Sequence, residues 1–353
     1  MITNLNFVST LSEEYSRSAV YYSYIKNLQN MKSHFYKISP SGRSFFREIF
    51  KYRKYLSSQP SPRIVVVMSP SHKIAFFLLF IPKTKIILDA GWSLTESAIA
   101  RRNSKGRRLK ILRNYCIDFM AFHAAGKVLL ESQHQISYVS RRFLVNRKKL
   151  FKLSTGFDET QLKSQPDSHF QKKWEQVKNQ HADSKIITFR GKYNEESGLE
   201  NLAEASQLLL KERFFIIVVT DKLPPNLVFS TRTLVIERFL EWDELSEILK
   251  ISDFYVGQLS FNKRLANTIP HKAFEAGYFG LPYITAENSG VLESYNSSEA
   301  IYLSGYIPDE LARKVRSLDS TEIERYRGAI SQKYQEKLSQ QVLAEQFLDI
   351  LGN

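Results

Sequence analysis

The 353 residues are enough for two domains, and 43% hydrophobic with 24% charged residues is the composition of a folded globular chain, which excludes extended disorder. Fifty Lys and Arg against 36 Asp and Glu give a net +14, and the excess lies in one half. Residues 1–160 hold 27 basic and 9 acidic side chains, residues 161–353 hold 23 and 27, so the two halves are expected to meet different partners.

In chain order, short β-branched runs alternate with amphipathic segments, the signature of an α/β chain with parallel sheets. Asn6 to Ser9 reads as a first strand and Ser16 to Asn30 as a helix. A strand follows at Arg63 to Met68, bounded by Pro62 and Ser69-Pro70, then an apolar helix at His72 to Phe80 and a strand at Lys85 to Leu88. The longest apolar run, Ile74 to Ile81, has eight residues, whereas a membrane-spanning helix needs about 20. The sole cysteine, Cys116, excludes a disulfide framework, and within Tyr115-Cys116-Ile117 it reads as a buried structural thiol. Lys127 to Leu130 is a strand, Gln133 to Phe143 a helix, and Leu150 to Leu153 a short strand. His72 and His123 have no partner at metal-ligand spacing and read as structural.

Residues 161–184 are polar, carry Gln165-Pro166-Asp167-Ser168, and read as a linker. A second α/β series occupies 185–330. Its strands are Lys185 to Phe189, Phe214 to Val219, Leu234 to Ile236, Phe254 to Val256 and Tyr283 to Thr285. Helices are expected at Gly198 to Leu210, Trp242 to Lys250, Pro270 to Phe279 and Glu322 to Leu351, with 331–353 free to pack back on the first domain. Two consecutive Rossmann-like modules fit this spacing better than a (β/α)₈ barrel, and ligands then sit beyond the carboxyl ends of the strands. No signal peptide is legible at Met1-Ile2-Thr3-Asn4, so the expectation is a cytoplasmic protein with, at most, peripheral membrane contact.

The residues following the strands carry the chemistry. Arg190-Gly191-Lys192 opens a loop that ends at Ser197-Gly198 before a helix, and its glycines, cations and helix N-terminus suit a phosphate. A polar connecting loop is the plain alternative. In Asn267-Thr268-Ile269-Pro270-His271-Lys272-Ala273-Phe274-Glu275, Lys272 falls in the first turn of a helix, with Glu275 on the same face. Lys272 suits a phosphate and Glu275 the hydroxyls of a ribose; the alternative is an ion pair between them on a solvated surface. Leu88-Asp89-Ala90-Gly91-Trp92 closes a strand of the first module, where Asp89 either faces an acceptor hydroxyl or caps the turn, and Trp92 either stacks on a sugar or anchors the loop. Ser9, Ser12 and Arg17 are the polar groups after the first strand.

The second half resembles the C-terminal domain of retaining GT-B glycosyltransferases, the group 1 or family 4-like kind that builds bacterial surface polysaccharides, capsule and lipopolysaccharide among them. In that group a Gly-Arg-x-x-x-x-Lys-Gly loop binds the donor diphosphate; Lys192 matches its Arg and Gly198 its final Gly, while Ser197 stands where Lys is usual. The group's Glu-x7-Glu is matched at Glu275, with Asn267 in place of the first Glu. Phe239-Leu240 resembles the nucleobase loop, Ser252-Asp253 the step before the next strand, and Thr155-Gly156-Phe157-Asp158 the signature closing the first domain. Asn288-Ser289-Gly290 resembles the loop after the last donor-domain strand.

The resemblance implies two Rossmann-like domains facing a cleft and transfer from a nucleoside-diphosphate sugar to a lipid-linked or oligosaccharide acceptor. It implies donor contacts at Arg190, Gly191, Lys192, Ser197, Phe239, Leu240, Asn267, Thr268, Ile269, Lys272 and Glu275. Acceptor contacts are implied at Ser9, Arg17, Asp89, Gly91 and Trp92, with Asp89, Lys192 and Lys272 in the chemistry. No cofactor or metal is expected, and no Asp-x-Asp is present for a GT-A transferase. Cations at Arg101-Arg102, Lys105, Arg107-Arg108, Lys110, Arg113, Arg141-Arg142 and Arg147-Lys148-Lys149 suit an anionic membrane, as do those among the aromatics of 43–55. They also suit nucleic acid, although no nucleic-acid-binding motif accompanies them. A GT-B protein that binds without catalysis, motivated by Ser197 and Asn267, is the other alternative.

Overall fold

The computed structural model describes residues 4–13, 16–28, 31–61, 63–100, 106–162 and 167–352. Pro62, Arg101, Arg102, Lys105, Gln165 and Pro166 lie outside the described residues. The chain divides into one unit of Met1–Asp158 with Gln340–Asn353 and a second of Glu159–Ser339.

The first unit runs β1 (Asn4–Ser9), α1 (Ser16–Lys26), β2 (Lys32–Lys37), α2 (Gly42–Ser58), β3 (Arg63–Met68), α3 (His72–Leu78) and β4 (Thr84–Gly91). It continues through α4 (Leu94–Ala100), α5 (Arg107–Ala124), β5 (Lys127–Leu130), α6 (Gln133–Phe143) and β6 (Leu150–Lys152). The six strands are parallel, in the order β2-β1-β3-β4-β5-β6. Successive side chains on a strand point to opposite faces. Val65, Val67, Leu88 and Val128 therefore pack with α2, α3, α5 and α6, while Val66, Met68, Ile87 and Leu129 pack with α1 and the C-terminal helix. Burial on both faces explains the unbroken apolar runs of β3 and β4.

The second unit runs α7 (Ser168–Gln180), β7 (Lys185–Arg190), α8 (Leu199–Leu208), β8 (Phe214–Thr220), β9 (Thr233–Glu237), α9 (Trp242–Ile251) and β10 (Phe254–Val256). Then come α10 (His271–Phe279), β11 (Tyr283–Ala286), α11 (Ser289–Leu292), β12 (Ile301–Leu303), α12 (Ile307–Ser317) and α13 (Ser320–Lys333). Its parallel sheet has the order β12-β11-β10-β7-β8-β9. The chain builds outward from β7 to β9 and then returns to start again at β10, so the topological switch point lies between β7 and β10.

Three sequence expectations need correction. The stretch read as a linker contains α7, which packs on α9 through a fully buried Trp174 and belongs to the second unit. The single helix expected over Glu322 to Leu351 is two: α13 is closed by a π-helical turn at Tyr334–Leu338, and α14 (Gln340–Gly352) belongs to the first unit, where Phe347 stacks on Tyr21 at 5.4 Å. Cys116 is exposed, not buried, because the buried positions of α5 are Asn114, Asp118, Ala121 and Phe122, on the opposite side of the helix.

Candidate functional site

At the switch point of the second unit, β7 ends in Arg190 and β10 leads into Gly257. Gly198 makes the loop between β7 and α8 possible: its φ is +64°, and a Cβ there would come within 2.1 Å of the Leu259 carbonyl oxygen. Asp221, after β8, accepts from the Tyr193 amide at 3.1 Å and ties the start of the loop to the neighbouring strand. That amide, above all, lowers the Asp221 pKa.

Beneath the loop is a buried charge cluster. Glu275 of α10 is 1% exposed; its Oε2 accepts from Tyr255 Oη at 2.5 Å, and its Oε1 lies 3.4 Å from the Arg190 guanidinium. Lys272, also buried, donates to the Gly257 carbonyl oxygen at 2.6 Å and lies 3.9 Å from the Phe189 ring centroid. A Cβ at Gly191 would be 3.8 Å from Lys272 Nζ, so the ammonium lies directly under the loop backbone. Burial drives the Lys272 pKa well down; Glu275 opposes the shift and Arg190 adds to it. Burial, the largest single influence, would lower the Arg190 pKa, but Glu275 and Tyr255 together outweigh it and the net direction is upward. Tyr255 is pushed well up by burial and then by Glu275, so it stays a neutral donor to that carboxylate. The solvated Lys272–Glu275 pair considered from sequence is therefore not what forms: both side chains are buried, and Glu275 engages Arg190 and Tyr255.

Arg190 is one-third exposed and reaches from this cluster into a pocket of about 270 Å³ lined by Gly191, Lys192, Thr220, Arg238, Phe239 and Leu240, among others. Its guanidinium also lies 5.3 Å from the Trp242 ring centroid. Phe239 is 65% exposed, and Lys192 Nζ lies 5.5 Å from its centroid. An open aromatic face, three cations and a carboxylate held just below can receive a planar ring joined to an anionic group.

The pocket takes in Arg190, Gly191, Lys192, Phe239 and Leu240, all named from sequence, with Lys272 and Glu275 directly beneath. Ser197 is turned into its own loop, where its buried hydroxyl donates to the Asn194 carbonyl oxygen at 2.7 Å. Asn267 ends the 3₁₀ turn Lys263–Ala266, Thr268 donates its hydroxyl to the Arg264 carbonyl oxygen at 3.2 Å, and Ile269 is buried; none of the three lines the pocket. Sequence reasoning missed Thr220, Arg238, Trp242 and Tyr255. Arg238 was within reach of the same argument, since it follows β9 directly, and buried Glu244 fixes it at 2.6 Å. Tyr255 carried its own signal, a phenol on a fully buried strand that must find a polar partner.

In the first unit the polar groups after the strands close on one another. Arg17 is completely buried; its Nε donates to Asp89 Oδ1 at 2.7 Å, Nη1 to Thr155 Oγ1 at 2.9 Å and Nη2 to the Leu153 carbonyl oxygen at 3.3 Å. Thr155 in turn donates to Glu131. Burial alone would lower the Arg17 pKa, but Asp89, Tyr21 and Glu131 reverse it, so the guanidinium stays charged. Gly91, at φ +67°, lets the chain pass over Arg17, whose Cδ would be 3.3 Å from a Cβ there. Asp89 has no exposed surface; its Oδ1 holds Arg17, and its Oδ2 has no hydrogen-bond partner. Ser9 is also buried, accepting from the Leu11 amide at 3.0 Å. Trp92 is partly exposed on a loop that Asp118 organises by accepting from the Ser93 hydroxyl and the Thr95 amide.

No family model matches the chain, and no curated protein matches its sequence. Solved structures match along nearly its whole length. Anabaena HepE in complex with UDP-glucose is 11% identical, with a TM-score of 0.72 and coverage of 99% of each chain. A glycosyltransferase from Rickettsia africae is 14% identical, with a TM-score of 0.67, covering 99% of this chain and 97% of that one. A UDP-forming α,α-trehalose-phosphate synthase from Burkholderia vietnamiensis is 9% identical, with a TM-score of 0.65 and coverage of 99% and 96%. At such identities the shared property is the fold, and this chain has the two-domain GT-B fold, with one six-stranded parallel sheet in each unit.

Proposed function

We propose that this chain is a glycosyltransferase that moves a sugar from a nucleoside-diphosphate donor to a lipid-linked or polysaccharide acceptor, with retention, in the synthesis of a cell-surface glycan. The observation that carries the reading is the placement of Arg190, Lys272 and Glu275 at a topological switch point, beside a pocket with an exposed Phe239. The nucleobase stacks on Phe239, Glu275 takes the ribose hydroxyls, and Arg190, Lys192 and Lys272 face the diphosphate. As the sugar leaves, negative charge builds on the diphosphate, and fixed cations in a poorly solvated site stabilise it most at that moment. Those cations take the place of a metal in this reading. The enzyme works at the inner face of the cytoplasmic membrane, held there by the basic first unit. HepE was solved with UDP-glucose, which makes UDP-sugars the first donors to assay.

The test is transfer or hydrolysis of UDP-, GDP- and ADP-sugars in the presence of EDTA. Turnover of one of them, lost in Lys272→Ala and in Glu275→Ala, is the expected result. Full activity in both variants would remove this site assignment. Saturable nucleotide binding without turnover of any donor would reduce the protein to a nucleotide binder.

A further inference from the structure

The large apolar side chains left in solvent are concentrated on one side of the first unit, on helices that share a layer. α3 packs against both α2 and α5, and all three cover the same face of the sheet. Their outward faces are unusual for a water-facing layer. On α5, Leu109 and Leu112 are 74% and 60% exposed, and with Cys116, Phe119 and Met120 they form an apolar stripe at helical spacing turned away from the core. On α2, Phe46 and Phe50 stand one turn apart with the latter 63% exposed, and just beyond α3 Phe80 is 64% exposed. Ring contacts link these positions: Phe46 to Phe77 at 5.8 Å, Phe77 to Phe76 at 5.6 Å, and Phe76 to Phe80 at 6.0 Å.

Cations frame this apolar surface. Arg43, Arg47, Lys51 and Lys54 are exposed on α2 beside the two phenylalanines, and Arg108 and Arg113 are exposed on α5 beside the two leucines. Arg113 acts electrostatically on Lys73 of α3, which brings the two helices' charges together. The acids of α2 and α5 are withdrawn: Glu48 accepts hydrogen bonds from Ser39 and Ser44, and Asp118 is buried.

We infer that the outer face of α2, α3 and α5 inserts into the surface of an anionic bilayer, its aromatic and leucine side chains entering the headgroup boundary while the flanking arginines and lysines pair with lipid phosphates. The inference rests on the reading that the acceptor is presented at a membrane, and it deepens that reading from a general basic charge to a defined face and mode. Charge selects the occupant. A second copy of this chain would bring one ring of cations against another, and nucleic acid would answer the cations but leave the α5 stripe in water. An anionic lipid surface satisfies both components at once, because interfacial binding adds buried apolar area to electrostatic attraction.

Cys116, the sole cysteine, stands one turn from Leu112 within the stripe, so a polarity-sensitive thiol dye there reports insertion with no substitution. With vesicles of about one-third phosphatidylglycerol in phosphatidylcholine the dye emission should shift to the blue and the protein should float with the vesicles, and phosphatidylcholine alone should bind at least ~tenfold less. Leu112→Ser with Phe50→Ser, and separately Arg47→Glu with Lys51→Glu, should each lower association about tenfold while leaving UDP binding unchanged. Equal binding to both vesicle types, or flotation with an unshifted dye, would overturn the inference. So would a blue shift without vesicles that follows protein concentration, which would name a second copy, or one produced by an oligonucleotide. The vesicles are titrated without nucleotide, so absent vesicle binding with intact UDP binding strikes only this surface. Absent UDP binding with intact insertion strikes only the donor site.

Discussion

Each unit places an arginine–carboxylate pair beyond the carboxyl ends of its strands, and the two pairs differ in what they leave open. In the first unit Arg17 and Asp89 are wholly buried, and the guanidinium's donors are spent on Asp89, Thr155 and the Leu153 carbonyl. In the second, Glu275 is buried but Arg190 is one-third exposed and lines a pocket beside Lys192 and Phe239. A closed pair of this kind organises the loops around it. An open one retains unsatisfied charge that a ligand can meet. Arg190 closes β7 with its carboxylate on α10, whereas Asp89 lies on β4 with its arginine on α1, and what separates the two pairs is that one arginine is wholly buried while the other reaches a pocket.

The largest expected effect breaks the closed pair. Arg17→Met leaves Asp89 and Glu131 buried without their cation and should cost about 3–5 kcal/mol of stability, read from denaturant or thermal unfolding. Arg17→Met with Asp89→Leu should recover part of that loss, and full stability in the single variant would make the network irrelevant to the fold. Next comes the open pair, where Glu275→Ala should weaken UDP binding by about a hundredfold in calorimetry, some ~3 kcal/mol.

Lys192→Ala, on an exposed side chain, should reverse the pattern seen at Arg17: stability within about 0.5 kcal/mol of the parent and a roughly tenfold loss of nucleotide affinity. Phe239→Ala should cost about 1 kcal/mol of affinity, and a uridine titration should show the same loss because the ring meets the base rather than the phosphates.

The smallest effect is a pH dependence. Burial, opposed by Glu275 and reinforced by Arg190, holds the Lys272 pKa well below 10.5. Between that depressed value and 10.5 the unfolded chain holds a proton that the folded chain lacks, so this group's contribution to stability rises with pH across the window. A bound diphosphate favours the charged ammonium, so UDP affinity should fall as pH rises through the same window. Calorimetry in buffers of different ionisation enthalpy should detect proton uptake on binding.

Much of this was legible in sequence where burial is simple. β3 and β8 read as strands because both faces are covered and their side chains are uniformly apolar. The edge strand β2, with the mixed sequence Lys-Ser-His-Phe-Tyr-Lys, is only partly buried and left no such run. In α7 the pattern was present but sparse: buried Trp174, flanked by the partly buried Phe170 and Val177, stands among lysines and glutamines. Cys116 misled because three adjacent residues were read as one environment, whereas a helix turns its neighbours to different sides.

At the site, Arg190, Lys192 and Phe239 were found because they directly follow strands. Lys272 and Glu275 were found by their spacing on one helix. The Arg17–Asp89 pair was not, since 72 residues separate its members and only the strand order brings them together. Tyr255 and Glu275 are only 20 residues apart, and they meet because α10 packs back on β10, a contact that neither segment's own pattern announces.

The open pair as a donor site makes Glu275 necessary for nucleotide binding. Calorimetric titration of UDP into the protein and into Glu275→Ala tests it most directly, with GDP, ADP and CDP as comparators. The predicted result is saturable binding of one nucleoside diphosphate to the parent and its loss in the variant. Binding of none of the four to a folded parent, or equal binding to both proteins, would contradict it.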